Sequence, residues 1–348
     1  MPGPANPRDF AHVPVAVAFR GDDVESVHYG SVAVVDVDGR LLFSAGDPQA
    51  LTFTRSALKP LQALPFVRDG GPERFGFDQA QVALLCASHS GEPRHVDAVA
   101  DMLARAGNLP AELACGAHAP GFYDARGEDP PPPPYSPLAH NCSGKHAGML
   151  ACCVLHGWSK DDYLDFGHPL QREIRAAVAR FVRMDERALR AGIDGCSAPN
   201  YAMPLAHLAG AFARLASASG DDPVFGRAPA RLRDAMVEHP EMVSGERRSD
   251  LVLARAGAGD WIAKIGAEGV QAIGIRNRGL GVAIKAADGS KRGLFPAVVA
   301  VLDQLGLLDA GRRSLLAAMR EPTLRNYRGI ATGRVAPLVV LDNVSARP

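Results

Sequence analysis

The stretch WIAKIGAEGVQAIGIRNRGLGVAIKA, residues 261–286, decides the fold that the sequence predicts. It is rich in apolar and β-branched residues and is interrupted by glycine, which is typical of successive short strands. The strands that we predict within it are 261–269, 270–275 and 279–286. Since unpaired strand edges are avoided in folded proteins, strands from elsewhere in the chain are needed beside them.

Matching strands occur at the opposite end of the chain. Residues 13–20 (VPVAVAFR) and 27–36 (VHYGSVAVVD) are strand-like, and the pair Asp38-Gly39 then predicts a hairpin to a third strand at 41–44. Helical patterns dominate the sequence between the two groups of strands. The predicted fold class is therefore α/β (α+β), with one antiparallel sheet built from N- and C-terminal strands and a helical middle region inserted between them.

We expect a single catalytic unit over residues 1–348. Its sheet-forming part comprises 10–60 and 255–335, and its mainly helical part comprises 61–254. Within the helical part, the segment GIDGCSAPN at 192–200 is predicted to be a loop because glycine and proline bound it.

The composition excludes several classes of protein. Lys+Arg and Asp+Glu balance at 38 residues each, so no net charge favours nucleic acid. No apolar run approaches the roughly 18 residues of a membrane-spanning helix. The N-terminal MPGPANPRDF lacks the basic start and apolar run of a secretory signal. Together with six cysteines, which then read as reduced thiols, this predicts a cytoplasmic protein.

Lysine is scarce in this chain, with six lysines against 32 arginines. A buried lysine can lose its proton and act as a base, whereas a guanidinium group stays charged. Three of the six lysines lie in short segments rich in Ser, Cys, His and Gly, namely Lys59, Lys145 and Lys264. These three are the candidates for a chemical role.

The segment FTRSALKPLQ, residues 53–62, places Ser56 three positions before Lys59 at the start of a predicted helix. Residues at this spacing share one helical face, so the amine can reach the hydroxyl. A serine hydroxyl becomes an effective nucleophile when a base takes its proton. The alternative interpretation is a helix-capping serine followed by a surface lysine.

Three further segments carry polar groups. CASHSGEP (86–93) contains Ser88, and its alternative interpretation is the end of one helix and the cap of the next. AHNCSGKHAGML (139–150) and the 192–200 loop contain His140, Cys142, Lys145, His146 and Cys196. Because paired Cys-x-x-Cys spacing is absent, these residues leave a metal site and buried inert cysteines as open alternatives.

The tripeptide Lys264-Ile265-Gly266 on a predicted strand resembles the Lys-Thr-Gly strand of serine β-lactamases and penicillin-binding proteins. Ile265 stands where those proteins have a hydroxyl residue, so the match is partial. The alternative interpretation is an ordinary lysine at a sheet edge.

Taken in order, TRSALKP, SHSGE, HNCSGKH, GIDGCSAPN and KIGAEG resemble the Rhizobium etli-type (class 3) L-asparaginases over about residues 13–330. The resemblance implies a serine β-lactamase-like and penicillin-binding-protein-like fold, a homodimer, and hydrolysis of L-asparagine to L-aspartate and ammonia. It implies two catalytic Ser-Lys pairs and one zinc ion per subunit. The residues that match the pairs are Ser56 with Lys59 and Ser88 with Lys264, and those that match the zinc ligands are Cys142, Lys145 and Cys196.

A zwitterionic amino-acid substrate needs a cation for its carboxylate and an anion for its ammonium group. Arg55 is the candidate cation, and Asp194 or Glu268 is the candidate anion. His146 is a further candidate substrate-binding residue. Since the serine–lysine chemistry does not need a metal-bound water, we expect the zinc to be structural or substrate-positioning.

Three alternatives to an asparaginase remain at this point. Glutamine is longer than asparagine by one methylene, which is worth only about 1–3 kcal/mol of discrimination, so a glutaminase is possible from the sequence. A β-lactamase-like or peptidase-type acyl hydrolase is the second alternative. The third is a zinc-binding protein that kept the fold without catalysis.

Overall fold

The computed structural model describes residues 11–344, so the N-terminal segment in which no signal is predicted lies outside the described residues. The strands are β1 (Val13–Arg20), β2 (Asp23–Asp36), β3 (Leu41–Ala45), β4 (Leu51–Phe53), β5 (Arg190–Ile193), β6 (Pro199–Pro204), β7 (Trp261–Gly266), β8 (Val270–Ile275), β9 (Leu280–Ala286), β10 (Thr323–Arg325), β11 (Ala331–Pro337) and β12 (Asp342–Asn343). The helices are α1 (Lys59–Gln62), α2 (Leu64–Arg68), α3 (Gly71–Phe75), α4 (Gln79–Leu85), α5 (Pro93–Arg105), α6 (Gly121–Arg126), α7 (Ser143–His156), α8 (Pro169–Val182), α9 (Leu205–Ala216), α10 (Ala228–Glu238), α11 (Pro240–Val243), α12 (Ser249–Gly257), α13 (Lys291–Gln304) and α14 (Ala310–Arg320).

The chain divides into two compact units. The first unit contains the residues up to Ala57, the segment Ala202–Arg214 and the residues from Ala263 onward. The second contains Leu58–Tyr201 and Leu215–Ile262. The first unit holds the large sheet and the second holds most of the helices, while the single catalytic unit expected over the whole chain stays a prediction.

The sheet of the first unit joins strands from both ends of the chain. Its strand order is β10-β11-β1-β2-β9-β8-β7, and β3 pairs with both β2 and β12. The pairs β1–β11, β1–β2, β2–β9 and β8–β9 are antiparallel; along β2 and β9, for example, Val32 lies opposite Ile284. The predicted antiparallel sheet of N- and C-terminal strands with helices between them is confirmed, and the likeness to serine β-lactamases stays a prediction.

Helices cover both faces of β2, which explains why its residues 30–35 are all buried. The side chains of His28 and Val35 are an odd number of positions apart, so they point to opposite faces of the sheet. His28 packs against Gly293 of α13, where a Cβ would lie 2.5 Å from the histidine Cβ. Val35 packs against Gly210 of α9, where a Cβ would lie 3.5 Å from Val35 Cγ1. A helix from the middle of the sequence thus completes the core of the sheet.

The structure differs from the prediction in two regions. The segment 192–200 is not a loop throughout, because β5 and β6 occupy its two ends. Strands β10 and β11 were not predicted either, although β11 pairs directly with β1. Of the residues in β11 only Val335 is buried, so the strand lacks the apolar run that predicts a strand from sequence.

In the second unit, α4 and α7 approach each other closely through glycine. A Cβ on Gly144 would lie 2.6 Å from the carbonyl oxygen of Leu84, a distance that no other residue tolerates. Helix α4 starts with a capping box in which Asp78 accepts from the Gln81 backbone and Gln81 accepts from the Asp78 backbone. The close approach at Gly144 places the end of α4 against the start of α7. Candidate site residues lie at or next to both of these helix ends.

None of the helices over residues 11–344 combines the length and the apolar character that crossing a membrane requires.

The packing of α9 on β9 generates a first prediction. A Cβ on Gly281 of β9 would lie 1.8 Å from the carbonyl oxygen of Ala209 and 2.6 Å from the backbone nitrogen of Ala213. Because both neighbours are helix backbone, Gly281→Ala should lower the free energy of unfolding by about 3 kcal/mol. The measurement is the midpoint of urea unfolding, with Gly167→Ala as the control because no atom lies within 4 Å of a Cβ there. Equal midpoints for the two variants would contradict the packing.

Candidate active site

Ser56 lies in a 3-10 turn, Arg55–Leu58, and not in the first turn of a regular helix as the sequence predicts. Helix α1 begins only at Lys59, with Pro60 in its first turn. Arg55 has a φ of 48°, in the left-handed region that non-glycine residues rarely adopt. Backbone strain of this kind is concentrated at functional positions, and Ser56 follows it directly.

Lys264 is fully buried on β7, and its Nζ donates to the carbonyl oxygen of Ile265 at 3.0 Å. Two residues further, Gly266 packs against the turn that carries Ser56. A Cβ there would lie 2.6 Å from the Thr54 carbonyl oxygen and 3.4 Å from Arg55 Cβ. The glycine of the predicted Lys-x-Gly strand therefore permits the close approach of β7 to this turn within the first unit.

Lys59 is 1% exposed and is held by three oxygen atoms of the second unit. Its Nζ donates to the carbonyl oxygen of Ala87 at 2.5 Å, to Ser88 Oγ at 2.9 Å and to the carbonyl oxygen of Asn141 at 3.3 Å. The sequence pairs Lys59 with Ser56 and Ser88 with Lys264, and these pairings stay predictions. The contact between Lys59 and Ser88 was not predicted.

Ser88 belongs to a segment that we call the Ser88 loop, residues 86–92. The next residue, His89, is completely buried, and its Nδ1 accepts the backbone N–H of Gly91 at 3.1 Å. Its Nε2 therefore carries the proton and faces Ser143 Oγ at 2.9 Å. Burial, and to a lesser extent neighbouring positive charges, lower the pKa of His89 well below its usual value. The ring is a neutral structural link between the Ser88 loop and the start of α7.

Cys142, Lys145 and Cys196 form a buried group that we call the thiol–lysine cluster. Lys145 Nζ donates to Cys196 Sγ at 3.0 Å. A hydrogen bond from Cys196 lowers the pKa of Cys142 well below that of an ordinary thiol, because it outweighs the opposing effect of burial. Burial lowers the pKa of Lys145, but the charges of the two thiols raise it more, and the net shift is upward. These shifts favour the thiolate form of Cys142 and the ammonium form of Lys145.

The chemistry of this cluster fits a zinc ion. Thiolate sulfur is a preferred zinc ligand, and the Cys142 thiolate is already favoured. Over the part of the chain that the structure describes, His, Cys, Asp and Glu side chains form no group of three or more that could hold a metal ion. A zinc ion at the two cysteines would therefore need the Lys145 amine as its third protein ligand, and that amine would have to give up its proton.

A residue that the sequence did not indicate, Tyr163, orients His146 beside the cluster. Tyr163 Oη accepts the backbone N–H of Ala114 at 2.9 Å and lies 2.7 Å from His146 Nδ1. The phenol and Nδ1 thus share a hydrogen bond in which either group can be the donor. Burial lowers the pKa of His146 to about 4, against a smaller effect of Cys196 that raises it. The lowered pKa favours a neutral His146 ring, and Cys196 lies nearby.

The candidate substrate-binding acids lie in different units. Asp194 begins a tight turn in the second unit, in which its carboxylate accepts the backbone N–H of Gly195 at 2.8 Å and Ser197 has a φ of 67°. Its charge contributes to the raised pKa of Lys145, so Asp194 lies near the thiol–lysine cluster. Glu268 lies on the exposed turn between β7 and β8 of the first unit, with a φ of 60°.

Comparison with solved structures finds distant likeness only. A crystal structure of Mglu in its native form has 16% sequence identity and a TM-score of 0.34, and the match covers 81% of this chain and 62% of that one. Mglu in its glutamate form gives the same identity and TM-score, with 80% and 61% covered. The chain thus spans less than two thirds of the length of these two structures, and likeness at this level assigns no activity. No curated protein matches the chain.

A family model provides the decisive comparison. The model described as L-asparaginase II matches residues 16–337, which is nearly the whole chain and includes every candidate site residue named above. The match runs from β1 to the end of β11, so both units contribute to it. This chain belongs to the L-asparaginase II family.

Proposed function

We propose that this protein hydrolyses the side-chain amide of L-asparagine to L-aspartate and ammonia. Membership of the L-asparaginase II family supports the amide-hydrolysing reaction. The observation that carries the proposal is the buried hydrogen bond of 2.9 Å between Lys59 Nζ and Ser88 Oγ. It places a lysine amine, which can act as a base, against a buried hydroxyl group in the proposed site.

The surroundings of Lys59 favour its role as the base. A neutral amine has two N–H groups and one lone pair. Its neighbours Ala87 and Asn141 present carbonyl oxygens, which can only accept, so they take the two N–H groups. The lone pair is then left for the hydroxyl of Ser88, the one partner of the three that can donate a proton.

In the proposed reaction, the lone pair of Lys59 turns from the Ser88 hydroxyl to that of Ser56 and receives its proton as Ser56 attacks the side-chain carbonyl carbon. The tetrahedral intermediate collapses as its C–N bond breaks, and the nitrogen takes up a proton and leaves as ammonia. Water then cleaves the ester and regenerates the serine. Ser88 and Lys264 relay the proton to the leaving nitrogen or orient the hydroxyl, and backbone N–H groups near Ser56 are the candidate oxyanion hole.

The charges of the substrate suggest how it is oriented. Arg55 is proposed to bind the α-carboxylate, and Asp194 or Glu268 the α-ammonium group. His146 is proposed as a further substrate-binding residue. Asparagine and glutamine share all of these polar groups, so both must be tested as substrates. The homodimer and the cytoplasmic location expected from the sequence stay predictions.

Zinc at Cys142, Lys145 and Cys196 completes the proposal. When bound, the ion would supply positive charge that stabilises the two thiolates and the turn that contains Asp194. The Ser-Lys reaction draws its base and its nucleophile from the chain itself. The zinc therefore has a structural or substrate-positioning role.

Variants of Ser56 and of Lys59 test the reaction. Ser56→Ala should lower kcat by at least about 10³-fold, because the nucleophile is lost. Lys59→Met and Lys59→Arg should each lower kcat by about 10²–10⁴-fold, since neither residue can accept a proton. Ammonia release from asparagine and from glutamine is the measurement, with Lys291→Arg on the exposed start of α13 as the control. Near-normal turnover of Lys59→Arg would exclude Lys59 as the base.

Removal of zinc tests the role of the metal. After complete chelation the protein should keep most of its turnover at saturating asparagine, while its KM rises and its thermal midpoint falls. Metal content by mass spectrometry should be one zinc per chain, and it should be lost in Cys142→Ser. Complete loss of turnover that added zinc restores would instead show a catalytic metal.

A further inference from the structure

The Ser88 loop is held from outside by a second segment of the same unit, residues 241–248, which we call the clamp segment. The backbone N–H of Ser88 donates to the carbonyl oxygen of Val243 at 2.9 Å. At the other end of the loop, His95 accepts the backbone N–H of Glu92 at 3.1 Å through Nδ1. The same ring faces the carbonyl oxygen of Glu241 through Nε2 at 3.0 Å. Two backbone positions of the clamp segment thus fix the two ends of the loop.

Between these two points, the carboxylate of Glu92 joins the loop to the clamp segment. Glu92 is only 5% exposed. Its Oε1 accepts both the hydroxyl of Ser90 at 2.9 Å and the backbone N–H of Glu246 at 2.8 Å. Its Oε2 pairs with Arg94 Nε at 3.0 Å. A buried carboxylate is costly unless it is satisfied, and here three donors from two segments satisfy it.

The clamp segment and the Ser88 loop are packed so closely that no side chain fits between them at Gly245. Gly245 of the clamp segment has a φ of 108°, which L residues rarely adopt. A Cβ there would lie 1.9 Å from Ser90 Oγ and 2.6 Å from Glu92 Oε1. On its other side, the loop packs at Gly91 against the carbonyl oxygen of Ala139, 2.6 Å from a Cβ. The Ser88 loop is therefore confined between the clamp segment and the chain that leads into α7.

We infer that Glu92 is a positioning residue, whose Oε1 holds the clamp segment against the Ser88 loop and so fixes Ser88 Oγ beside Lys59. The inference rests on the proposed function, in which the Lys59–Ser88 hydrogen bond is part of the reaction. Glu92 acts through the backbone of the loop and takes no part in the chemistry. A displacement of a reacting group by about 1 Å can lower the reaction rate on the order of 100-fold. Loss of the support that positions Ser88 should therefore produce a measurable fall in rate.

The role of Oε1 can be separated from that of the charge with three variants. Glu92→Gln keeps an oxygen at Oε1 but loses the charge and the pairing with Arg94. Arg94→Gln loses only the ion pair, and Arg94 is half exposed. Glu92→Ala removes the acceptor altogether.

We expect kcat for ammonia release to fall about 10–100-fold in Glu92→Ala with KM changed less than about threefold, because alignment and not binding is lost. Glu92→Gln and Arg94→Gln should stay within about threefold of the unaltered protein.

Hydrogen exchange provides a readout that does not depend on turnover. In Glu92→Ala, the backbone N–H groups of Ser88 and Glu246 should exchange at least about tenfold faster, while those in the core of the first unit should not change. Gly245→Ala should reproduce the faster exchange and the lower kcat, since it forces the same two segments apart. If Glu92→Ala does not fold, Gly245→Ala and Glu92→Gln still test the junction.

The outcomes distinguish this inference from the proposed function. Unchanged kcat and unchanged exchange in Glu92→Ala, with Ser88→Ala inactive, would overturn the positioning role alone. A loss in Glu92→Gln as large as in Glu92→Ala would also overturn it, because the charge would then matter and not the acceptor. If Ser88→Ala and Lys59→Met keep full turnover, the proposed function fails, and hydrogen exchange still decides whether Glu92 holds the loop.

Discussion

The hydrogen bonds of the Lys59 amine are the interaction on which the rest of the candidate site depends. An amine buried to 1% exposure is stable only when it has hydrogen-bond partners, and two backbone carbonyls and the Ser88 hydroxyl provide them. These partners come from two separate segments, the Ser88 loop and the chain just before α7. Their positions must therefore be fixed by the packing of the second unit.

Glycine contacts and neutral histidines provide this packing. Gly144 lets α7 pack directly against the backbone at the end of α4. Gly91 lets the Ser88 loop pack directly against the backbone carbonyl of Ala139. His89, His95 and His140 each accept a backbone N–H through Nδ1, which requires an uncharged ring. Burial is the largest cause of the lowered pKa of each of these rings. Imidazole rings thus connect the segments around two buried lysines without adding positive charge.

Much of the fold and part of the site could be predicted from the sequence. The strands β1, β2, β8 and β9 have continuous apolar patterns, so they were found close to their observed bounds. Strand β11 was missed because it is half exposed and contains glycine, proline and arginine, so that its pairing with β1 alone makes it a strand. Tyr163 and Glu92 were missed as site residues, since their roles arise from partners far along the chain.

The sequence by itself determined which residues are the candidates for the chemistry. Ser56 and Lys59 stand out by local spacing, and Cys142 and Lys145 by a short motif. The scarcity of lysine drew attention to Lys59, Lys145 and Lys264. Only the tertiary structure decided which groups meet. Lys59 reaches Ser88 across 29 positions, and Lys145 reaches Cys196 across 51. The reason is physical: helical periodicity relates residues three or four apart, whereas contacts between distant segments are set by how closely helices and loops pack.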